Sequence, residues 1–272
     1  MKSLLCYLVG VVAAGVMAVS VVSCGGTSAT ESNDTFRFNV RTDSMAYLIP
    51  DFYGDSVYAL SVYSLIWPEN TSGGDIEVLS DSLRKAAFGI VGTDFDDAVG
   101  LYNRQILTNM DGDSIFQHTE VPAHVAVDAG MLNLSIVTSE VTLLTPRLLV
   151  IGVTNYASYY GSAHGMYSTT YVNYSIPEHR VLTSANLFDN TKRSEILRNI
   201  NSVAAVVMEP GSLLVDSITT YSGFRLTDSD VVFVYQPYEI ASYSYDVVEI
   251  PVSIYNLYDA FTPLGRKALG LN

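Results

Sequence analysis

Side chains able to do nucleophilic, acid–base or metal chemistry are few. The 272-residue chain holds four histidines, His118, His124, His164 and His179, and two cysteines, Cys6 and Cys24. His118-Thr-Glu120 puts an imidazole and a carboxylate on one face of an extended segment, with His124 beyond Pro122. A close doublet with a distant third ligand suits a zinc hydrolase, but no His-Glu-x-x-His accompanies it, and neither a metal site nor a cofactor is assigned. Gly161-Ser-Ala-His-Gly165 sets a serine and a histidine two residues apart, too close in sequence for the linear Ser–His bond of a triad. Its central residue is Ala163, so it is not a nucleophile elbow. Asp94, Asp96 and Asp97 open a helical pattern, where the macrodipole already accounts for acidic residues. Neither a Gly-x-Gly-x-x-Gly nor a phosphate-binding loop occurs, and no catalytic residue is assigned.

The elements that must carry these groups are mostly strands. Alternation marks Phe36 to Val40 and Met45 to Ile49, separated by a turn expected at Thr42-Asp43-Ser44. Ser56 to Trp67 reads as a second strand. Asp75–Phe88 and Asp94–Leu107 have apolar residues three and four apart, as amphipathic helices require, and Gly89 is placed to cap the first. Met131–Leu144 is a strand, and Arg147–Tyr160 with Met166–Ile176 form a hairpin about Gly161. Lys192–Met208 is a helix stopped by Glu209-Pro-Gly211, Val231–Tyr235 and Val247–Val252 are strands, and Asp259–Leu269 is a short final helix. Turns outnumber helical crossovers, so the expected class is α+β, an antiparallel sheet packed with a few helices.

Ahead of this lies a different kind of segment. Lys2 precedes an uncharged run from Leu4 to Val22, ending in Val21-Val22-Ser23-Cys24. The tetrad resembles a bacterial lipobox, which implies residues 1–23 as a lipoprotein signal peptide, diacylglycerol on Cys24, and residues 24–34 as a flexible tether. Cys6 would leave with the signal, so the folded part would have no thiol, no disulfide and no cysteine-bound zinc. The expected location is extracytoplasmic, on the inner or outer membrane of a Gram-negative envelope. The chain carries 14 Lys and Arg against 28 Asp and Glu, a net charge of −14. That excludes a nucleic-acid binder, which needs a basic stripe. It suits a basic protein partner.

Thirteen of the 19 tyrosines lie from Tyr156 onward. There Gly161-Ser-Ala-His164-Gly165 is followed by Asn173-Tyr174, Leu187-Phe188-Asp189, Phe224-Arg-Leu226, the run Tyr235-Gln-Pro-Tyr238-Glu239-Ile-Ala-Ser-Tyr243, and Val248-Glu-Ile-Pro251. The order resembles the extracytoplasmic domain of the anti-sigma factor RsiV and its relatives. The resemblance assigns residues 158–272 to that type of domain and residues 35–157 to an α+β companion region of the PdaC/RsiV type. Two departures stand out: Ser242 where the family has proline, and Tyr245-Asp246 where it has a glycine.

The resemblance implies binding rather than catalysis, since RsiV recognises lysozyme directly. The expected function is a lipid-anchored envelope protein recognising a lysozyme-like muramidase or cell-wall glycan. Alternatives are a wall-polysaccharide deacetylase and a structural or adhesive surface lipoprotein. His164, Tyr167, Tyr235, Tyr238, Glu239 and Tyr243 are the candidate binding residues; tyrosine suits them because its ring packs while its hydroxyl bonds.

Overall fold

The computed structural model describes residues 36–50, 56–69, 76–108, 117–120 and 131–271. The proposed signal peptide, Cys24 and the tether, as well as His124, lie outside them.

Strands β1 (Phe38–Pro50) and β2 (Ser56–Pro68) pair antiparallel over their whole lengths. No turn interrupts β1: Asp43 faces Tyr63 within the ladder, and the Asp43 carboxylate accepts the next residue's N–H, from Ser44, at 2.7 Å. Thirteen residues of uninterrupted pairing with β2 outweigh the local turn preference of Thr-Asp-Ser. Helices α1 (Glu77–Phe88) and α2 (Phe95–Thr108) follow. Gly89 closes α1 in the left-handed conformation, φ 72°, its N–H bonded to the Lys85 carbonyl, as its position predicts.

The two helices carry the chain across the sheet, so β2 pairs with β4 (Leu132–Leu144) in parallel, the one parallel pair among the described strands. All other described pairs are antiparallel, and the α+β class holds. With β3 (Gln117–His118), β5 (Leu148–Ser158), β6 (Met166–Ser175) and β7 (Arg180–Leu182), the first sheet runs β3-β1-β2-β4-β5-β6-β7. The hairpin about Gly161 forms as its sequence indicates, with Tyr156 opposite Tyr167. The division drawn at 157/158 falls at the end of β5, inside this sheet.

Beyond β7 come α3 (Ser184–Leu187) and α4 (Arg193–Val207). A three-stranded antiparallel sheet follows, β10 (Val248–Ser253), β9 (Asp230–Tyr235) and β8 (Gly223–Leu226) in spatial order. Helix α5 (Pro263–Leu269) starts four residues later than its apolar spacing suggests. Thr262 caps it, accepting from the Gly265 N–H, and Pro263 occupies the first helical turn. Residues 254–260 form a separate 3-10 turn.

Two cores flank the large sheet. On one side Leu149, Ile151 and Val153 of β5 pack with Leu79, Leu83, Phe88 and Phe95 of the helical pair. On the other, Leu148 and Val150 meet Phe188, Ile196, Ile200, Phe233 and Ile250 of the second half. Strand β5 is therefore covered on both faces, which is why it reads as an unbroken apolar run instead of an alternating one.

Candidate recognition surface

The candidate residues meet where the tip of the β5–β6 hairpin touches the segment joining β9 to β10. The hairpin turn is closed by the Ser162 N–H to the Tyr159 carbonyl, 2.9 Å, with Gly161 at φ 74°. Next to it Gly165 passes directly over Tyr156: a Cβ at that position would lie 2.3 Å from the phenol carbon and oxygen. A glycine allows the approach without displacing the Tyr156 ring, and the Gly165 carbonyl accepts both the Tyr243 hydroxyl, at 2.9 Å, and the His164 Nδ1 contact, at 3.0 Å.

Tyr243 is the centre of the group. His164 stacks on its ring with centroids 4.3 Å apart, Tyr238 stacks on it at 5.8 Å, and Tyr167 meets it edge-on at 5.9 Å. These are favourable aromatic arrangements, each worth about 0.5–1.5 kcal/mol beyond the area buried. The Tyr167 hydroxyl donates to the Asp246 carboxylate. Burial pushes the Tyr167 phenol up, and the Asp246 charge adds to it. Tyr243 is raised for the same first reason, with Tyr156, Asp246 and Tyr238 contributing. Tyr238 remains 51% exposed, and Tyr159 and Tyr160 at the hairpin tip are each 54% exposed. Four of the six candidates, His164, Tyr167, Tyr238 and Tyr243, thus share one surface.

The other two do not contribute rings or charge to that surface in the expected way. Tyr235 is only 1% exposed, packed in the second core, and its hydroxyl donates to the Thr220 carbonyl at 3.0 Å. It ends β9, a central strand in which Val231 to Tyr235 are all buried, so alternation does not bring its ring outward. Burial raises its phenol, with the Glu239 charge second. Glu239 is exposed but turned back, accepting the Gln236 N–H at 2.9 Å and so fixing the turn after β9.

The residues that position this surface were letters in a motif without a role. The Gln236 amide makes two 2.9 Å bonds to the main chain of Thr169 on β6, one donated and one accepted. Further along, the buried Asn173 amide donates to the Phe224 carbonyl and accepts from the Leu226 N–H, both at 2.8 Å. Each amide imitates a strand edge and stitches one sheet to the other. A third link is the Tyr171 hydroxyl of β6, which donates to the Glu249 carboxylate of β10 at 3.2 Å; within the second sheet Arg225 of β8 holds that carboxylate with two bonds of 2.8 and 2.6 Å. The Arg225 guanidinium keeps Glu249 below the usual carboxylate range, while burial and that carboxylate push Tyr171 up to about 12. Single polar residues beside apolar runs, Asn173 before Tyr174 and Gln236 after Tyr235, were the available signal.

Segments 148–179 and 226–265 contain no lysine or arginine. Between them lie Arg180, Lys192, Arg193, Arg198 and Arg225, the last engaged by Glu249. Ser162 and His164 are not paired: the Ser162 hydroxyl accepts from the Tyr159 N–H, and His164 lies against Tyr243 and Gly165. The arrangement offers stacked rings, hydroxyls and carboxylates, which is equipment for holding a partner. The side chain of His118 is outside the described set, as is His124.

Residues 186–255 match the family model described as "Protein of unknown function (DUF3298)". That span runs from the end of α3 through β10 and includes Arg225, Gln236, Tyr238, Tyr243, Asp246 and Glu249. Among solved structures, the chain is similar to a DUF3298 family member from Bacteroides fragilis, with 18% identity and a TM-score of 0.60 over 87% of this chain and 98% of that one. A DUF3298 family protein from Pseudomonas aeruginosa matches at 18% identity and a TM-score of 0.55, over 87% and 97%. The likeness is one of fold, and it extends through both sheets. No curated protein matches the chain.

Proposed function

We propose that this protein is a non-catalytic receptor of the bacterial cell envelope, anchored through lipid on Cys24, that binds a lysozyme-like muramidase. The observation carrying this reading is the partly exposed His164–Tyr243–Tyr238 stack, built from segments that hold no lysine or arginine. Tyrosine rings give contact area at low entropic cost, and an acidic surround attracts a basic protein over long range. The motif order from His164 to Pro251, similar to that of RsiV, supports the same partner. A lipid-anchored chain of this kind would capture or sense a wall-degrading enzyme outside the cytoplasm.

Binding of the chain from Asp34 onward to a basic lysozyme tests this, measured at about 0.01 M and 0.15 M salt, where the screening length falls from roughly 30 to 8 Å. Saturable binding that weakens with salt is the expected result. Binding of chitotetraose instead, with none to lysozyme at low salt, would replace the protein partner with a wall glycan.

A further inference from the structure

Resting on the receptor reading above, we propose that Asp246 is a positioning residue: through Tyr167 it holds the 238–246 turn in the conformation that presents Tyr238 and Tyr243 to a partner. Two non-glycine residues bracket this turn at positive φ, Tyr238 at 69° and Asp246 at 58°. Asp246 also has ψ −147°, a region that glycine occupies with ease and a side chain does not. An aspartate there is unfavourable for the backbone, and its carboxylate supplies the compensation by accepting the Tyr167 hydroxyl.

The two ends of the turn are held differently. At its start, the Gln236 side chain is bonded twice to Thr169, Glu239 caps Gln236, and the Leu214 N–H reaches the Ile240 carbonyl at 2.8 Å. At its end, the Tyr245 N–H bonds back to Ser242 and the Asp246 N–H to Tyr243, main-chain contacts within the turn itself, and outside it the exposed Tyr245 hydroxyl donates to the Glu209 carboxylate at 3.0 Å. The Tyr167–Asp246 bond ties this end to β6, and the Tyr243 hydroxyl on Gly165 ties the middle to the hairpin. Without the Asp246 carboxylate, the start stays fixed and the end loses its bond to β6, keeping only the Tyr245 side chain's contacts with Glu209 and the second core. A glycine at 246 removes backbone strain and the tether together, so stability and order of the turn should move in opposite directions.

The test uses the full chain as wild type, Asp246→Gly, Tyr167→Phe and the double variant. Thermal unfolding, amide hydrogen exchange over residues 243–246 and lysozyme binding are measured for each. Asp246→Gly should melt at or above the wild-type temperature. Its 243–246 amides should nevertheless exchange about tenfold faster, and lysozyme binding should weaken by a similar factor. Tyr167→Phe keeps the strain and loses the tether, so it should melt lower with the same gain in exchange. The double variant should exchange no faster than Asp246→Gly, because both substitutions break one bond. Wild-type exchange in both single variants would overturn the proposal, as would faster exchange with unchanged binding. If the wild type does not bind lysozyme, the muramidase reading fails by itself, and exchange still decides whether Asp246 positions the turn.

Discussion

Replacing Asn173 by alanine should be among the most damaging single changes in the second half of the molecule. Asn173 is 1% exposed, and its amide satisfies the Phe224 carbonyl and the Leu226 N–H, both at 2.8 Å, joining β6 to β8. Alanine leaves both main-chain groups buried without their partner and a small void beside them. An unsatisfied buried group costs roughly 1–3 kcal/mol, so two give about 2–6 kcal/mol, and about 3 is the working value. For a domain of this size, 1 kcal/mol moves the melting temperature by about 2–4 °C, so a fall of about 6–12 °C is expected.

Urea unfolding followed by Tyr and Trp67 fluorescence reads the same quantity as a lower midpoint at constant slope. Asn155→Ala is the comparison, since that side chain makes one 3.0 Å bond, to the Ala86 carbonyl, on a part-buried site. It should cost about 1 kcal/mol. Leucine at 173 fills the void without restoring the bonds, so it should recover little. If Asn173→Ala costs no more than Asn155→Ala, the two sheets do not depend on this amide and the reasoning is refuted. The consequence reaches the surface itself, because His164 and Tyr167 come from the first sheet while Tyr238 and Tyr243 follow the second.

Glu249→Gln should weaken the fold by about 1–2 kcal/mol near neutral pH and flatten its acid sensitivity. Because Arg225 holds the folded-state carboxyl below its ordinary value, that stabilisation is present above the unfolded value and is lost as pH falls through the folded one; urea midpoints between pH 3 and 6 check this. Gly165→Ala should cost about 1–3 kcal/mol and separate His164 from Tyr243, since the added methyl meets the Tyr156 ring, and Tyr156→Ala should recover part of the loss in a double-mutant cycle. Tyr235→Phe should lower stability by about 1–2 kcal/mol through its bond to Thr220 while leaving lysozyme binding unchanged, whereas Tyr243→Ala should reduce binding. Equal loss of binding in the two variants would show that burial does not separate their roles.

Much of the local structure follows from short-range periodicity. The helices α1, α2 and α4 were legible because Leu79, Leu83 and Ala87, or Ile196, Ile200 and Val203, recur at the spacing of one helical face. The β5–β6 hairpin was legible from two apolar runs about Gly161. What depends on neighbours distant in sequence was not. Thr42-Asp-Ser44 looks like a turn until β2 pairs with it, and nothing local announces that β4 lies parallel to β2. The same holds for the surface. The sequence by itself determined an α+β chain with an acidic, tyrosine-rich second half and a set of aromatic candidates around His164 and Tyr243. Tertiary structure decided which of those rings face outward: Tyr235 and Tyr243 have equal propensities, but one ends a strand covered on both faces and the other sits on a turn docked against Gly165. Burial is a property of what packs against a residue, and only the docking of the two sheets, through Asn173, Gln236 and the Tyr171 bond to Glu249, supplies it.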